Sequence, residues 1–365
     1  MTIPQKSFSM VLTANKTLEP MDIAIPDIDD ESALLRIETC GICGSDYEQF
    51  EGELRTPMPV IPGHEPLGII EKIGDKAAQR WGVDVGDRVA VETMLACKHC
   101  QPCLGGRYHL CDSRKIYSYI PLSEGAGLWG AYSQYMFLHA NSIVHKVDAG
   151  LRPEIAVMFN PLGAGFRWAV EIPNAQPGDT VVVMGPGQRG LASVIALKSV
   201  GVQNIIVTGL AADANKMALA KHYGATHTID VQNENPIHRV KEITDGRGAD
   251  IVVDVSSYAT EPVAQALQMV KMGGDIVLAG VKGFRAVDQF ISDYVVLKEI
   301  TIHGAIGVTS TGYRKAINLI ETSDIEFEKM HTHDFDLADA ELAIKTLARQ
   351  IEGEESIHSC LIPPV

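Results

Sequence analysis

A chain of 365 residues with a formal charge of −15 lacks the clustered basic surface that a nucleic-acid or anionic-membrane partner requires. Its apolar content of 46% is spread out, and no run reaches the eighteen or more apolar residues of a membrane-spanning helix. The length suits about two domains, each with its own core, and 33 glycines suit many tight strand–helix turns.

The opening Met1-Thr2-Ile3-Pro4-Gln5-Lys6 has no long apolar core, so no secretory signal is expected. Residues 1 to about 150 read as short strands between Gly and Pro turns, for example 34–38, 67–73 and 87–92, and predict a β-rich, barrel-like domain. Two glycine-flanked segments stand out in it: Cys40-Gly41-Ile42-Cys43-Gly44-Ser45-Asp46 and Pro62-Gly63-His64-Glu65. A cysteine of the first and the histidine of the second are candidate ligands for an open zinc site. Taken alone they read equally as buried core residues, and Asp46 and Glu65 as ordinary charges.

Next comes the most specific pattern. Cys97, Cys100, Cys103 and Cys111 form C-x2-C-x2-C-x7-C, four of the seven cysteines within fifteen positions. Short C-x2-C turns let one loop deliver four soft donors to a tetrahedral zinc ion, and a closed Cys₄ site is structural. A disulfide knot belongs to small secreted domains, and iron–sulfur runs use other spacings. Thiols spaced for metal, without a targeting segment, point to a reducing, cytoplasmic setting.

Near Pro153 the pattern changes. From Thr180 to about Ile302, apolar strands (180–184, 204–208, 250–255, 275–279) alternate with helical segments (191–200, 216–223, 262–272), which predicts parallel βαβ units in a doubly wound sheet. Gly185-Pro186-Gly187-Gln188-Arg189-Gly190 follows the first of these strands and opens the next helix. G-x-G-x-x-G in this setting lets backbone approach a pyrophosphate at a helix N-terminus, and so predicts a dinucleotide. The acid that usually holds the ribose of NAD would fall on Gly209; Asp213 is the nearest substitute, and Lys216 the first base. With no basic cluster for a 2′-phosphate, NAD is expected over NADP. The tail carries a strand-like 301–305 and helices near 313–321 and 339–349, too little for a domain of its own, and is expected to return to the first domain. Trp129, Phe166 and Trp168 are either lining for an apolar pocket or plain core.

In order along nearly the whole chain, C-G-I-C-G-S-D, G-H-E, the four-cysteine lobe and the glycine loop resemble the zinc-dependent medium-chain dehydrogenase/reductase family, which includes alcohol, sorbitol and threonine dehydrogenases. The resemblance implies an α/β protein: a GroES-like catalytic domain, here residues 1–155 and 302–365, around a Rossmann domain at 156–301. It implies that Cys43 and His64 bind a catalytic zinc. Ser45 would hydrogen-bond the substrate alcohol and relay its proton, Asp46 would orient the histidine, and Glu65 would stand beside the metal. The family's third ligand, Cys or Glu, falls on Asn160, a neutral and poorer donor, so either weak zinc binding there or completion of the shell by Glu65 or water is expected. The relay histidine of some members is replaced by Glu48. A homodimer or homotetramer is implied, acting on an alcohol, secondary by preference. Two rivals remain at this stage: a zinc-independent enal or quinone reductase of the same superfamily, which would not need Cys43, His64 and the lobe, and a nucleotide-binding relative with only the lobe zinc, favoured by Asn160 alone.

Overall fold

The computed structural model describes residues 3–364. Two units emerge: one built from residues up to Asn160 and from Ile317 onward, the other spanning Pro161–Ala316.

The first unit is organised around a seven-stranded sheet. Its path runs His331–Asp336, His358–Ile362, Ala33–Gly41, Pro66–Ile73, Arg88–Val91 and Val144–Lys146, with Tyr135–Leu138 also paired to Ala33–Gly41. Ala33–Gly41 is central and mostly buried, which its run of Leu34, Leu35 and Ile37 suits. Each of these side chains contributes about 1.5–3 kcal/mol by leaving water. The hairpin Lys6–Ala14/Thr17–Ala24 covers part of the same core through Met10, Val11 and Leu12.

In the second unit six parallel strands are ordered His227–Asp230, Asn204–Gly209, Thr180–Met184, Ala249–Asp254, Val270–Leu278 and Thr301–Gly304. Chain order reverses between Thr180–Met184 and Ala249–Asp254, the switch point at which such sheets open a crevice at their carboxyl ends. The predicted strands and helices at 180–184, 191–200, 204–208, 216–223 and 250–255 all fall on elements of the same type.

Two expectations shift. The 262–272 helix stops at Met269, and the strand after it begins at Val270 rather than 275. Gly273, at φ +66°, and Gly274 supply a backbone freedom that a helix interior disfavours. Thr301–Gly304 pairs with Val270–Leu278 and forms an edge of the parallel sheet, so the chain returns to the first unit at Ile317 rather than at 302. At the other crossing, the helix Pro153–Ala156 packs on Ala33–Gly41 and moves the division from 155 to Asn160. Among the described residues, no helix is long and apolar enough to cross a membrane.

Three backbone features bring the motif segments of the first unit together. Gly41 ends the central strand, and its N–H donates to the Glu65 carbonyl at 3.1 Å. Two residues on, Cys43 caps the helix Gly44–Glu51. The Pro62–His64 loop is held by Ala131 N–H to the Gly63 carbonyl and Tyr132 N–H to the Pro62 carbonyl, both 3.0 Å. Gly130 lies so close that a Cβ there would stand 1.9 Å from the Ile61 carbonyl oxygen. Gly130→Ala must therefore push that loop away. A loss of about 1–3 kcal/mol in urea unfolding is expected.

Candidate active site and metal centres

The sheet and the helix Gly44–Glu51 deliver Cys43, His64 and Glu65 to one buried point, with one ligand atom from each within 4.8 Å of the others. Donors on a tetrahedral zinc ion stand about 3.3–3.8 Å apart, so a thiolate, an imidazole and a carboxylate so grouped fit that ion. Behind them Asp46 works twice. One carboxylate oxygen accepts from the Cys43 N–H at 2.8 Å, and the other faces His64 Nδ1 at 3.1 Å. Burial by itself would lower the imidazole pKa, but the Asp46 carboxylate more than offsets that and holds it well above the usual value. With Nδ1 facing Asp46, Nε2 is turned away from that carboxylate. Ser45 Oγ lies 3.2 Å from that Nε2, half-buried between the donors and solvent.

Glu48, on the same helix, is buried. Desolvation first, then the nearby charges of Cys43, Glu53 and Asp46, push its carboxyl up to about 7. Tyr119 is a neighbour that sequence reading missed. Burial raises its pKa, and so do the charges of Asp46, Cys43 and Glu48. No spacing rule links position 119 to the helix; only the folded loop does. Asn160 is buried on the helix Phe159–Gly165 that leads out of the first unit. Among His, Cys, Asp and Glu side chains, the geometry groups Cys43, His64 and Glu65.

The four-cysteine lobe closes as the spacing demands. Cys97, Cys100, Cys103 and Cys111 converge within 4.8 Å, with Cys97–Cys103 at 4.0 Å and Cys100–Cys111 at 3.9 Å between sulfurs. A disulfide would need about 2.05 Å, whereas four sulfurs on one zinc ion stand about 3.8 Å apart. The Cys100 N–H points at the Cys97 sulfur and the Cys97 N–H at the Cys111 sulfur, both at 3.3 Å. Backbone N–H groups of His99 and Cys100 lower the Cys97 thiol to about 6, while burial and the neighbouring thiols drive Cys103 to about 12. Four thiols cannot all ionise at this separation without a cation, which is the chemistry of a zinc lobe.

In the second unit the glycine loop leaves the Thr180–Met184 strand and enters the helix Gln188–Ser199. Gly185 takes φ +102°, reserved for glycine, and a Cβ on Gly190 would sit 1.9 Å from the Gly185 carbonyl. Gly187 precedes the helix with open space around its Cα, where a pyrophosphate can approach. Arg189 lies over the Trp168 ring at 5.6 Å, and Gln188 is buried. Gly209 has a local cause: a side chain there would begin 2.9 Å from Pro186 of the glycine loop. The Asp213 carboxylate accepts from the Leu210 N–H at 3.0 Å, and Lys216 is buried. Asp254, at the end of a neighbouring strand, holds Ser256 Oγ at 2.6 Å and Lys282 Nζ at 2.8 Å beside the loop. No sequence motif marked this triad. Trp129 and Trp168 belong to different units. Trp129 packs edge-to-face on Phe137 and lines a cavity of about 440 Å³ beside the lobe; Trp168 donates to the Gly307 carbonyl, and Phe166 is core.

These features together define a two-unit chain with a glycine loop of the nucleotide-binding type and clustered candidate metal donors. The chain matches the alcohol dehydrogenase GroES-like domain over residues 29–149 and the zinc-binding dehydrogenase family over residues 190–322. A probable alcohol dehydrogenase of Mycobacterium tuberculosis is 42% identical over 360 residues, covering 97% of this chain and 98% of that protein. An erythritol/L-threitol dehydrogenase of Mycolicibacterium smegmatis is 31% identical, covering 99% of each. The crystal structure of an alcohol dehydrogenase from Thermotoga maritima superposes with a TM-score of 0.88 at 26% identity, covering 98% of this chain and all of that one. The chain thus belongs to the zinc-dependent medium-chain dehydrogenase/reductase family.

The raised Glu48 carboxyl carries a pH signature. Its folded pKa lies above its unfolded value, so folding takes up a proton. Its stabilising contribution is complete below pH 4.5 and is lost as pH rises through about 7. Glu48→Gln should raise the melting temperature at pH 8 and change it little at pH 5. An equal shift at both values would remove Glu48 as a titrating group.

Proposed function

We propose that this chain is a zinc-dependent dehydrogenase that moves hydride between an alcohol, secondary by preference, and a nicotinamide cofactor, giving a ketone or aldehyde. The observation that carries the reading is the buried Cys43–His64–Glu65 donor set, with Asp46 behind the histidine and Ser45 in front of it. One catalytic ion would be held there and one structural ion in the lobe. The catalytic zinc, when bound, supplies a Lewis acid that lowers the pKa of an alcohol near neutral pH. The nicotinamide supplies the hydride acceptor.

The chain's own residues do the rest. Cys43 and His64 fix two donors, and Glu65 offers a third. Ser45 Oγ, half-buried, accepts the alcohol proton as it releases its own hydroxyl proton toward Glu48. Glu48 passes that proton to solvent, and a carboxyl poised at about 7 suits both directions of transfer near neutral pH. Gly185 to Gly190 present backbone N–H groups and a helix N-terminus to the pyrophosphate. Gly209, Asp213 and the buried Lys216 leave no basic grip for a 2′-phosphate, which supports NAD over NADP. The rival without catalytic zinc loses its support, because it gives the convergence of Cys43, His64 and Glu65 no purpose.

Exposed apolar side chains on the second unit, among them Met272, Phe284, Val296 and Leu297, support a homodimer or homotetramer. The four lobe thiols, grouped for a metal ion, support a reducing cytoplasm. Cys43→Ser is expected to lose at least a hundredfold in turnover of secondary alcohols with NAD⁺ and about one zinc per chain, with the lobe zinc and the circular dichroism spectrum unchanged. Retained turnover would refute the assignment.

A further inference from the structure

Beyond both metal centres, a third cluster of donors sits at the edge of the seven-stranded sheet, and its origin is a fault in strand register. The strands His331–Asp336 and His358–Ile362 pair in parallel, with His331 opposite His358, His333 opposite Ser359 and Asp334 opposite Cys360. One extra residue lies between His331 and His333 on the edge strand. In an uninterrupted strand, positions 331 and 334 point to opposite faces. The bulge reverses that parity, so His331, Asp334, His358 and Cys360 share one face.

There the ligand atoms of His331, Asp334 and Cys360 lie within 4.8 Å of one another. Asp334 Oδ1 is 3.0 Å from His331 Nε2 and 3.1 Å from Cys360 Sγ. His331 Nδ1 is 3.0 Å from His358 Nδ1, so His358 can hold the ring in the tautomer that turns the Nε2 lone pair toward Asp334 and Cys360. Cys360 is fully buried and Asp334 is exposed, so the cluster has a closed inner side and a solvent-facing outer side.

We propose that His331, Asp334 and Cys360 form a third metal site, which takes a zinc-type divalent ion with water as fourth ligand. A thiolate, an imidazole and a carboxylate suit a borderline-soft ion rather than magnesium or calcium. The donors must open by only about 0.3–0.5 Å to reach tetrahedral spacing, and the Cys360 thiol proton leaves to solvent on binding. An ion there clamps the edge strand to His358–Ile362. The Ser359 carbonyl of that strand accepts the Ile42 N–H at 3.0 Å, one residue before Cys43. The clamp thus steadies the segment that carries the catalytic thiol without touching substrate.

The test is the zinc content per chain, by plasma mass spectrometry, of full-length protein saturated with zinc and dialysed to remove loose ions. Wild type is compared with Asp334→Ala, His331→Ala and Cys43→Ser. The proposal expects Asp334→Ala and His331→Ala each to contain one zinc fewer than wild type, with turnover within about twofold. Asp334 is exposed, so that variant should fold even where a core change would not. Equal zinc in wild type and Asp334→Ala, or in wild type and a folded His331→Ala, overturns it. The Cys43→Ser arm answers for the proposed active site separately, because its zinc loss is independent of the other two.

Discussion

The two-sided use of Asp46 is the interaction on which the catalytic arrangement depends. A buried carboxylate is costly unless it is hydrogen-bonded or paired. Here one oxygen accepts the Cys43 N–H and the other lies 3.1 Å from His64 Nδ1 as an ion pair, so the same group caps a helix and faces an imidazole. Each partner would be less well defined without the other. The helix start fixes where Cys43 points, and the carboxylate faces one ring nitrogen of His64 and leaves the other turned toward Ser45. Because 19 residues separate Ser45 from His64 in sequence, this pairing also lets the hydroxyl reach Nε2.

A similar economy governs the nucleotide loop. Pro186 presses on the end of the second strand and leaves room only for glycine at 209. The missing ribose acid is therefore a packing consequence of the loop's own sequence. Asp213, which spacing offers as a replacement, has a carboxylate oxygen on the Leu210 N–H and stabilises the turn after that strand.

What the sequence made legible were features set by short-range chemistry. The four cysteines, the glycine loop and the alternation of strands with helices each depend on residues within a few positions of one another. Convergence of Cys43 with His64 and Glu65 required the family resemblance, since nothing local distinguishes a ligating histidine from a satisfied core one. Long-range consequences stayed hidden for physical reasons. Tyr119 reaches the site through a loop fold, and the third donor cluster depends on a one-residue register fault that no periodicity reports. The assignment of Thr301–Gly304 to the returning tail failed because a short strand carries no signal of which sheet will pair with it.

Anomalous X-ray scattering at the zinc absorption edge, from crystals of the zinc-loaded protein, tests the central claim most directly. The account predicts a peak within bonding distance of Cys43 Sγ and His64 Nε2, with Asp46 on the far side of the imidazole, in addition to the peak inside the four-cysteine lobe. A lobe peak alone, with the space between Cys43 and His64 empty of zinc, would contradict it.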